Sequence, residues 1–318
     1  MDLPDAENAD SRCVNGPAIP GAPEMPAFSV SGPRPSPLPI LLAVPHAGRS
    51  YPEPLVARLR DPRAVAARLE DRYVDKLAVE VQRRTGVMLV VAHAPRALID
   101  LNRAPDDVDW DMIAAAPEAA LARKGTGRRW RSGLGLIPRR LPGLGEMWKA
   151  RHDEVELRAR IEQVHQPYHA ALAGALATLR DRWGAVLLID LHSMPPLPAV
   201  SGHRPAEFVI GDRFRTTCDG ALIASCFDYF ARQGRRAAHN RPYAGDYVLH
   251  RQAAPGRGIH AIQLEIDRRC YLDSELAELG EGFAATVDLL TNLVRLMGDA
   301  VAESGRGEAP NRWPEAAE

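Results

Sequence analysis

The chain has 318 residues, 46% of them hydrophobic and 25% charged, which is room and material for one large globular domain or two small ones. Forty basic and 41 acidic side chains leave a formal net charge of −1, which excludes a broad basic face for nucleic acid and an acidic, solvating, disordered chain. Four scattered cysteines, Cys13, Cys218, Cys226 and Cys270, form no CxxC pair, so a disulfide scaffold or thiolate zinc knuckle is not expected and a reducing cytoplasm fits.

Nine of the 27 prolines fall in the first 39 residues, a stretch without apolar periodicity. Proline removes a backbone donor and fixes φ, so residues 1–38 are expected to form a disordered or extended arm. The arm lacks the basic start and apolar core of a signal peptide. Residues 39–45, PILLAVP, read as a buried strand. A helix is predicted from about Pro62 to Arg84, then a strand over GVMLVVAH (86–93). A long polar helix is expected from about Trp148 to Arg182, interrupted near Pro167. AVLLIDLHS (185–193) carries the strongest strand pattern, and EFVIGDR (207–213) and GIHAIQLEI (258–266) are further strands. Helices are predicted over about 215–233 and 273–303, and residues 304–318 read as a tail. No apolar run reaches the roughly 18 residues of a membrane span. Alternating strands and helices imply a three-layer α/β/α fold, a mostly parallel or mixed sheet within a single domain over 39–303. In such sheets functional groups gather at the carboxyl ends of the strands.

Five clusters sit in such places. His46 in PHAGRSYP follows the first strand, and His192 in DLHSM ends another. Two histidines at strand ends can share a metal, and a catalytic zinc needs three protein ligands plus an open position. The plain alternative is that each histidine satisfies a local hydrogen bond. Asp71 and Asp75 in EDRYVDKL are four apart on the predicted helix and share a face, either as a ligand source or as a solvated face paired with Arg72 and Lys76. Arg96, Asn102 and Arg103 in PRALIDLNR form a plausible clamp for a carboxylate, or a structural ion pair with Asp100 or Asp106. Glu265 is a charge inside an apolar strand, fit for a general base or a buried salt bridge. Asp190 is read as a buried anchor on the opposite strand face from His192. Walker, GxGxxG, GxSxG and HExxH patterns are absent.

PHAGRSYP, DRYVDKL, RALIDLNR, GLGLIPR, QPYH, LIDLHSMP, NRPYAGDYVL and HAIQLEIDRRCY follow one another in this order. On these motifs the chain resembles the N-formylglutamate amidohydrolase (N-formylglutamate deformylase) family over about residues 27–300. The resemblance implies a zinc-exopeptidase-like fold, related to zinc carboxypeptidases and aspartoacylases. It also implies one zinc ion, with another divalent metal as the alternative, and hydrolysis of the amide between a formyl group and an amino-acid nitrogen. Formate and L-glutamate would be the products, as in the last step of histidine degradation. His46 and His192 match the zinc histidines, Asn102 and Arg103 the pair that grips the substrate carboxylate, Arg96 the arginine that polarises the scissile carbonyl, and Glu265 the catalytic glutamate. The related pattern has a ligating glutamate three residues after the first histidine, where this chain has Arg49. Asp71 is the expected third ligand, with Glu53 and Asp75 as alternatives. Tyr243 and Tyr247 are expected to close the pocket. Asp246 stands where family members often carry glycine and is expected to alter the pocket rim. The implied partner is a small anionic N-acyl amino acid. Two other readings remain open, a deacylase or carboxypeptidase for a different N-acyl amino acid and a metal-free binding module.

Overall fold

A computed structural model describes residues 13–115, 129–199 and 204–307. Strands β1 (Val14–Asn15) and β2 (Phe28–Ser31) come first, separated by a small hairpin of Ala18–Ile19 and Ala22–Pro26. Strand β3 (Ile40–Val44) leads through helices α1 (Glu53–Arg58), α2 (Pro62–Leu69) and α3 (Val74–Thr85) to β4 (Met88–Ala92). Helix α4 (Glu154–Arg160) continues through a π-helical turn, Ile161–His165, into α5 (Gln166–Trp183). Then follow β5 (Val186–Met194), β6 (Phe208–Gly211), α6 (Gly220–Arg232), β7 (Ala237–His239), α7 (Tyr247–Gln252), β8 (Ile259–Asp267) and α8 (Phe283–Gly307).

The eight strands form one mixed sheet in the order β1-β2-β4-β3-β5-β8-β6-β7. Its centre, β4-β3-β5-β8, is parallel, while β2 runs antiparallel to β4 and β6 antiparallel to β8. Strands β3 (ILLAV) and β4 (MLVVA) are continuous apolar runs because helices cover both faces. Along β3 the period of two sends Leu41 and Ala43 to the face packed by Leu172, Leu176 and Leu179 of α5. Ile40, Leu42 and Val44 go to the face packed by α3, α6 and α8. This is the expected three-layer α/β/α arrangement. Among the described residues no helix is long and apolar enough to cross a membrane.

Four expectations are corrected. The proline-rich segment is not an arm over its described part, residues 13–38. Phe28 and Val30 alternate with Ser29 and Ser31, so β2 buries one face and adds to β4, and Phe28 meets the Tyr168 ring edge-on at 5.7 Å. The prolines flank this strand and leave its ladder intact. Residues 1–12 of the expected arm lie outside the described residues. The helix predicted over 62–84 is two helices: Glu70 is extended and Tyr73 is left-handed at φ 59°, so the chain breaks at residues 70–73. The long helix begins at Glu154, where Asp153 and Glu156 form a capping box, and not at Trp148, which is buried with its indole on the Pro138 carbonyl. The last helix begins at Phe283 and runs to Gly307, into the expected tail; residues 308–318 of that tail lie outside the described residues.

Candidate metal centre and pocket

The site begins as a change of residue type along two neighbouring strands. On β5, Val186 and Leu188 belong to the core under α5, and the next two positions on that face are Asp190 and His192. On β8, Ala261 is followed on the same face by Gln263 and Glu265. The parallel register sets Gln263 beside Asp190 and Glu265 beside His192. One apolar face thus turns polar at the carboxyl ends of its strands. The expectation that Asp190 faces away from His192 is wrong, because residues two apart on a strand share a face. Asp190 Oδ2 lies 2.9 Å from His192 Nε2.

His46 follows β3, and Asp71 sits in the break between α2 and α3, where its amide donates to the His46 carbonyl at 2.9 Å. His46, Asp71 and His192 are buried, and one ligand atom from each lies within 4.8 Å of the others. His192 Nδ1 is 2.9 Å from Asp71 Oδ2, while His46 Nδ1 is 3.7 Å from the same oxygen, too far for a hydrogen bond. The opposite nitrogens point at buried carboxylates: His46 Nε2 meets Asp100 Oδ1 at 2.7 Å, and His192 Nε2 meets Asp190. A far-side carboxylate on each histidine, with both Nδ1 atoms aimed at one aspartate, is the outer-shell pattern that orients metal-ligating imidazoles. Two imidazoles and a carboxylate suit zinc. The donor set therefore fits a divalent ion.

The alternatives for the third ligand do not reach this cluster. Asp75, in the first turn of α3, is held by both Nη atoms of Arg49, at 2.6 and 2.9 Å. Glu53 is exposed in the first turn of α1. The helix break separates Asp71 from Asp75, so they do not share a face.

A cavity of about 340 Å³ opens over the cluster, with Asp71, Arg96, Asn102, Arg103, Tyr243 and Glu265 among its lining residues. Burial pushes the Glu265 carboxyl up to about 7, against the lowering effect of the His192 charge and with Asp71 adding to the rise; Gln263 Nε2 donates to it at 2.7 Å. Arg96 Nε donates to Asp100 Oδ2 at 2.8 Å, so the ion pair named as its plain alternative exists, in the cavity wall. Asn102 Oδ1 accepts from the Val248 amide at 2.8 Å, leaving its Nδ2 near Gln263 Oε1 at 3.3 Å. Arg103 is anchored by the carbonyls of Leu134 and Asn102 and by Asp246.

Tyr247 is not a pocket wall. It packs on the His165 and His169 rings, at 5.5 and 5.0 Å between centroids. These histidines lie at the end of the π-helical turn and in the first turn of α5, and hold the segment that carries Asn102: His165 Nε2 meets the Arg103 carbonyl at 2.8 Å and His169 Nε2 the Leu101 carbonyl at 3.0 Å. Sequence reasoning also missed Arg68, Arg129 and Arg268, which line the cavity. Arg268 Nε donates to Ser193 Oγ at 3.2 Å, and its guanidinium approaches Asp71 at 3.8 Å and bonds the Glu70 carbonyl. No local pattern marks these three arginines. Asp190 and Gln263 were findable, because each stands two residues before a candidate on the same buried strand face.

Fold and site together define an α/β/α protein with a candidate metal-binding active site at the carboxyl ends of parallel strands. The profile of the N-formylglutamate amidohydrolase family matches residues 38–272, and the chain belongs to that family. The N-formylglutamate deformylase of Pseudomonas aeruginosa is 27% identical over 268 residues, covering 81% of this chain and 93% of that protein. The N-formylglutamate deformylase of Pseudomonas putida is 29% identical over 244 residues, 74% of this chain and 82% of its own. The crystal structure of N-formylglutamate amidohydrolase from Ralstonia eutropha JMP134 superposes with a TM-score of 0.77 at 31% identity, covering 89% of this chain and 99% of that one.

Proposed function

We propose that this protein is a metal-dependent deformylase that hydrolyses N-formyl-L-glutamate to formate and L-glutamate. The observation that carries this reading is the buried His46–Asp71–His192 cluster, backed by Asp100 and Asp190, beside Glu265 in an arginine-lined cavity. His46, Asp71 and His192 would hold one zinc ion. Zinc supplies Lewis acidity and brings the pKa of water towards about 7.

The remaining work falls to this chain's own groups. Glu265, as the carboxylate, accepts the proton of the attacking water and returns it to the leaving amine. A carboxyl poised at about 7 can do both near neutral pH. Arg96 stabilises charge developing on the carbonyl oxygen, and its bond to Asp100 holds the guanidinium in the wall. Asn102 and Arg103 bind the α-carboxylate, which sets the small formyl group toward Glu265 and the two histidines. Tyr243, in the cavity lining, contributes to closing the pocket around the substrate. The partner is a small anionic N-acyl amino acid.

Formate release from N-formyl-L-glutamate, compared with other N-formyl and N-acetyl amino acids, tests the substrate. Bound metal should be one equivalent per chain, and a chelator should abolish turnover until zinc is restored. No formate release from any formyl amino acid by the zinc-loaded protein would sink the reading.

A further inference from the structure

Arg103, read above as the seat of the substrate carboxylate, already holds a carboxylate. Asp246 Oδ2 lies 2.9 Å from Arg103 Nη1 and 3.6 Å from Arg129 Nε, and all three residues line the cavity. Asp246 is the N-cap residue of α7, a position where an aspartate normally accepts a hydrogen bond from its own helix. Its side chain makes no such bond and is turned into the pocket. The two arginines differ in freedom. The Arg103 side chain is 7% exposed and anchored by two carbonyls, at 2.9 and 2.7 Å, whereas that of Arg129 is 52% exposed.

We propose that Asp246 is a built-in competitor for the substrate carboxylate. It occupies Arg103 in the free protein and moves wholly onto Arg129 when an acyl amino acid binds. The inference rests on the reading of Arg103 as a carboxylate binder. A fixed guanidinium presents one bidentate face, so the carboxylates of Asp246 and of the ligand contend for it. Arg129 gives the displaced Asp246 a second cationic partner, so displacement does not strand it. Apparent affinity for carboxylate ligands is the intrinsic affinity multiplied by the fraction of time that Arg103 is free. Asp246 therefore sets how strongly the pocket binds small carboxylates, and raises KM without entering the chemical step.

The test uses the full chain loaded with zinc. Glutarate, a dicarboxylate with no reactive amide, is titrated calorimetrically into the parent and Asp246→Asn, with Asp246→Ser as a second variant should the first fold poorly. KM and kcat for N-formyl-L-glutamate are measured in parallel. Removing the competitor should lower the glutarate Kd and the KM about fivefold, the modest size expected of a partly exposed ion pair, with kcat within about twofold. The gain should shrink at high salt. On an Arg103→Gln background Asp246→Asn should change nothing, because there is no seat left to free. An unchanged or weaker glutarate affinity in both variants, or a gain that persists without Arg103, overturns the proposal. If glutarate binds more tightly to Asp246→Asn and neither protein releases formate, the competitor stands and the deformylase reading falls.

Discussion

Two buried histidine pairs lie on either side of the Leu101–Arg103 segment, and their contrast shows what makes a histidine chemical. His46 and His192 have ring centroids 4.8 Å apart, and His165 and His169 4.5 Å apart. All four are buried. The partners differ. Asp71, Asp100 and Asp190 surround the first pair, whereas backbone carbonyls and the Tyr168 and Tyr247 rings surround the second. Burial opposes charge on His192, yet Asp190 and Asp71 together hold its pKa well above the usual imidazole value. In the second pair burial wins: it lowers His165 against the opposing pull of the Arg103 carbonyl and Asp100, and takes His169 down to about 3. Spacing and burial are shared by both pairs, and the anionic partners separate a candidate metal site from a structural clamp.

The contrast is tested most sharply at the first pair. His192→Ala should strip the protein of its metal and reduce turnover at least about a thousandfold. Metal content by mass spectrometry and formate release check this, and activity within a few-fold of the parent would mean that the site lies elsewhere. Asp71→Asn should likewise lower metal content; if it does not, the ligand role moves to another group.

Glu265→Gln should retain metal and lose about 10²- to 10⁴-fold in kcat. It carries a second, opposite signature. The Glu265 carboxyl is raised by burial to about 7, above its unfolded value of about 4.3, so the fold favours its protonated form. That contribution to stability is fully present below the unfolded value and is lost as pH rises through about 7. Metal-free Glu265→Gln should therefore melt at a higher temperature than the parent at pH 8 and at a similar one at pH 4. Equal melting at both pH values would show that burial does not strain this carboxylate.

Smaller effects are expected from the groups behind the ligands. Asp190→Asn should weaken metal affinity about 10- to 100-fold, read by competition with a chromogenic chelator. His169→Leu, in the second pair, should leave metal content unchanged. It removes the donor to the Leu101 carbonyl and should cost about 1–3 kcal/mol in urea unfolding. Loss of metal from His169→Leu would erase the distinction between the pairs.

Much of the site was legible from single positions. His46 and His192 stand at the ends of apolar runs, and Glu265 interrupts another, so strand geometry alone marks them. Strand β2 was legible too: the alternation in FSVS is a period of two, overridden in the reading by the proline count around it. The third ligand was not legible in the same way. Asp71 and Asp75 look equivalent on a continuous helix, and the left-handed Tyr73 that parts them has no local signature such as glycine or asparagine. Tyr247 was misplaced because nothing local tells it from Tyr243 four residues earlier: α7 starts at Tyr247 and carries its ring to the histidines of α5 and the π-helical turn.

The sequence alone determined the layers of the fold, the strands that end at the site and the residue types offered there. These follow from the backbone periods of two and 3.6, which are local properties. Only the tertiary structure decided which groups meet. It chose Asp71 over Asp75, placed Asp100 and Asp190 behind the histidines, and set Asp246 on Arg103. Those contacts join residues far apart in the chain, and their distances come from how the sheet, the helix break and α7 pack against one another.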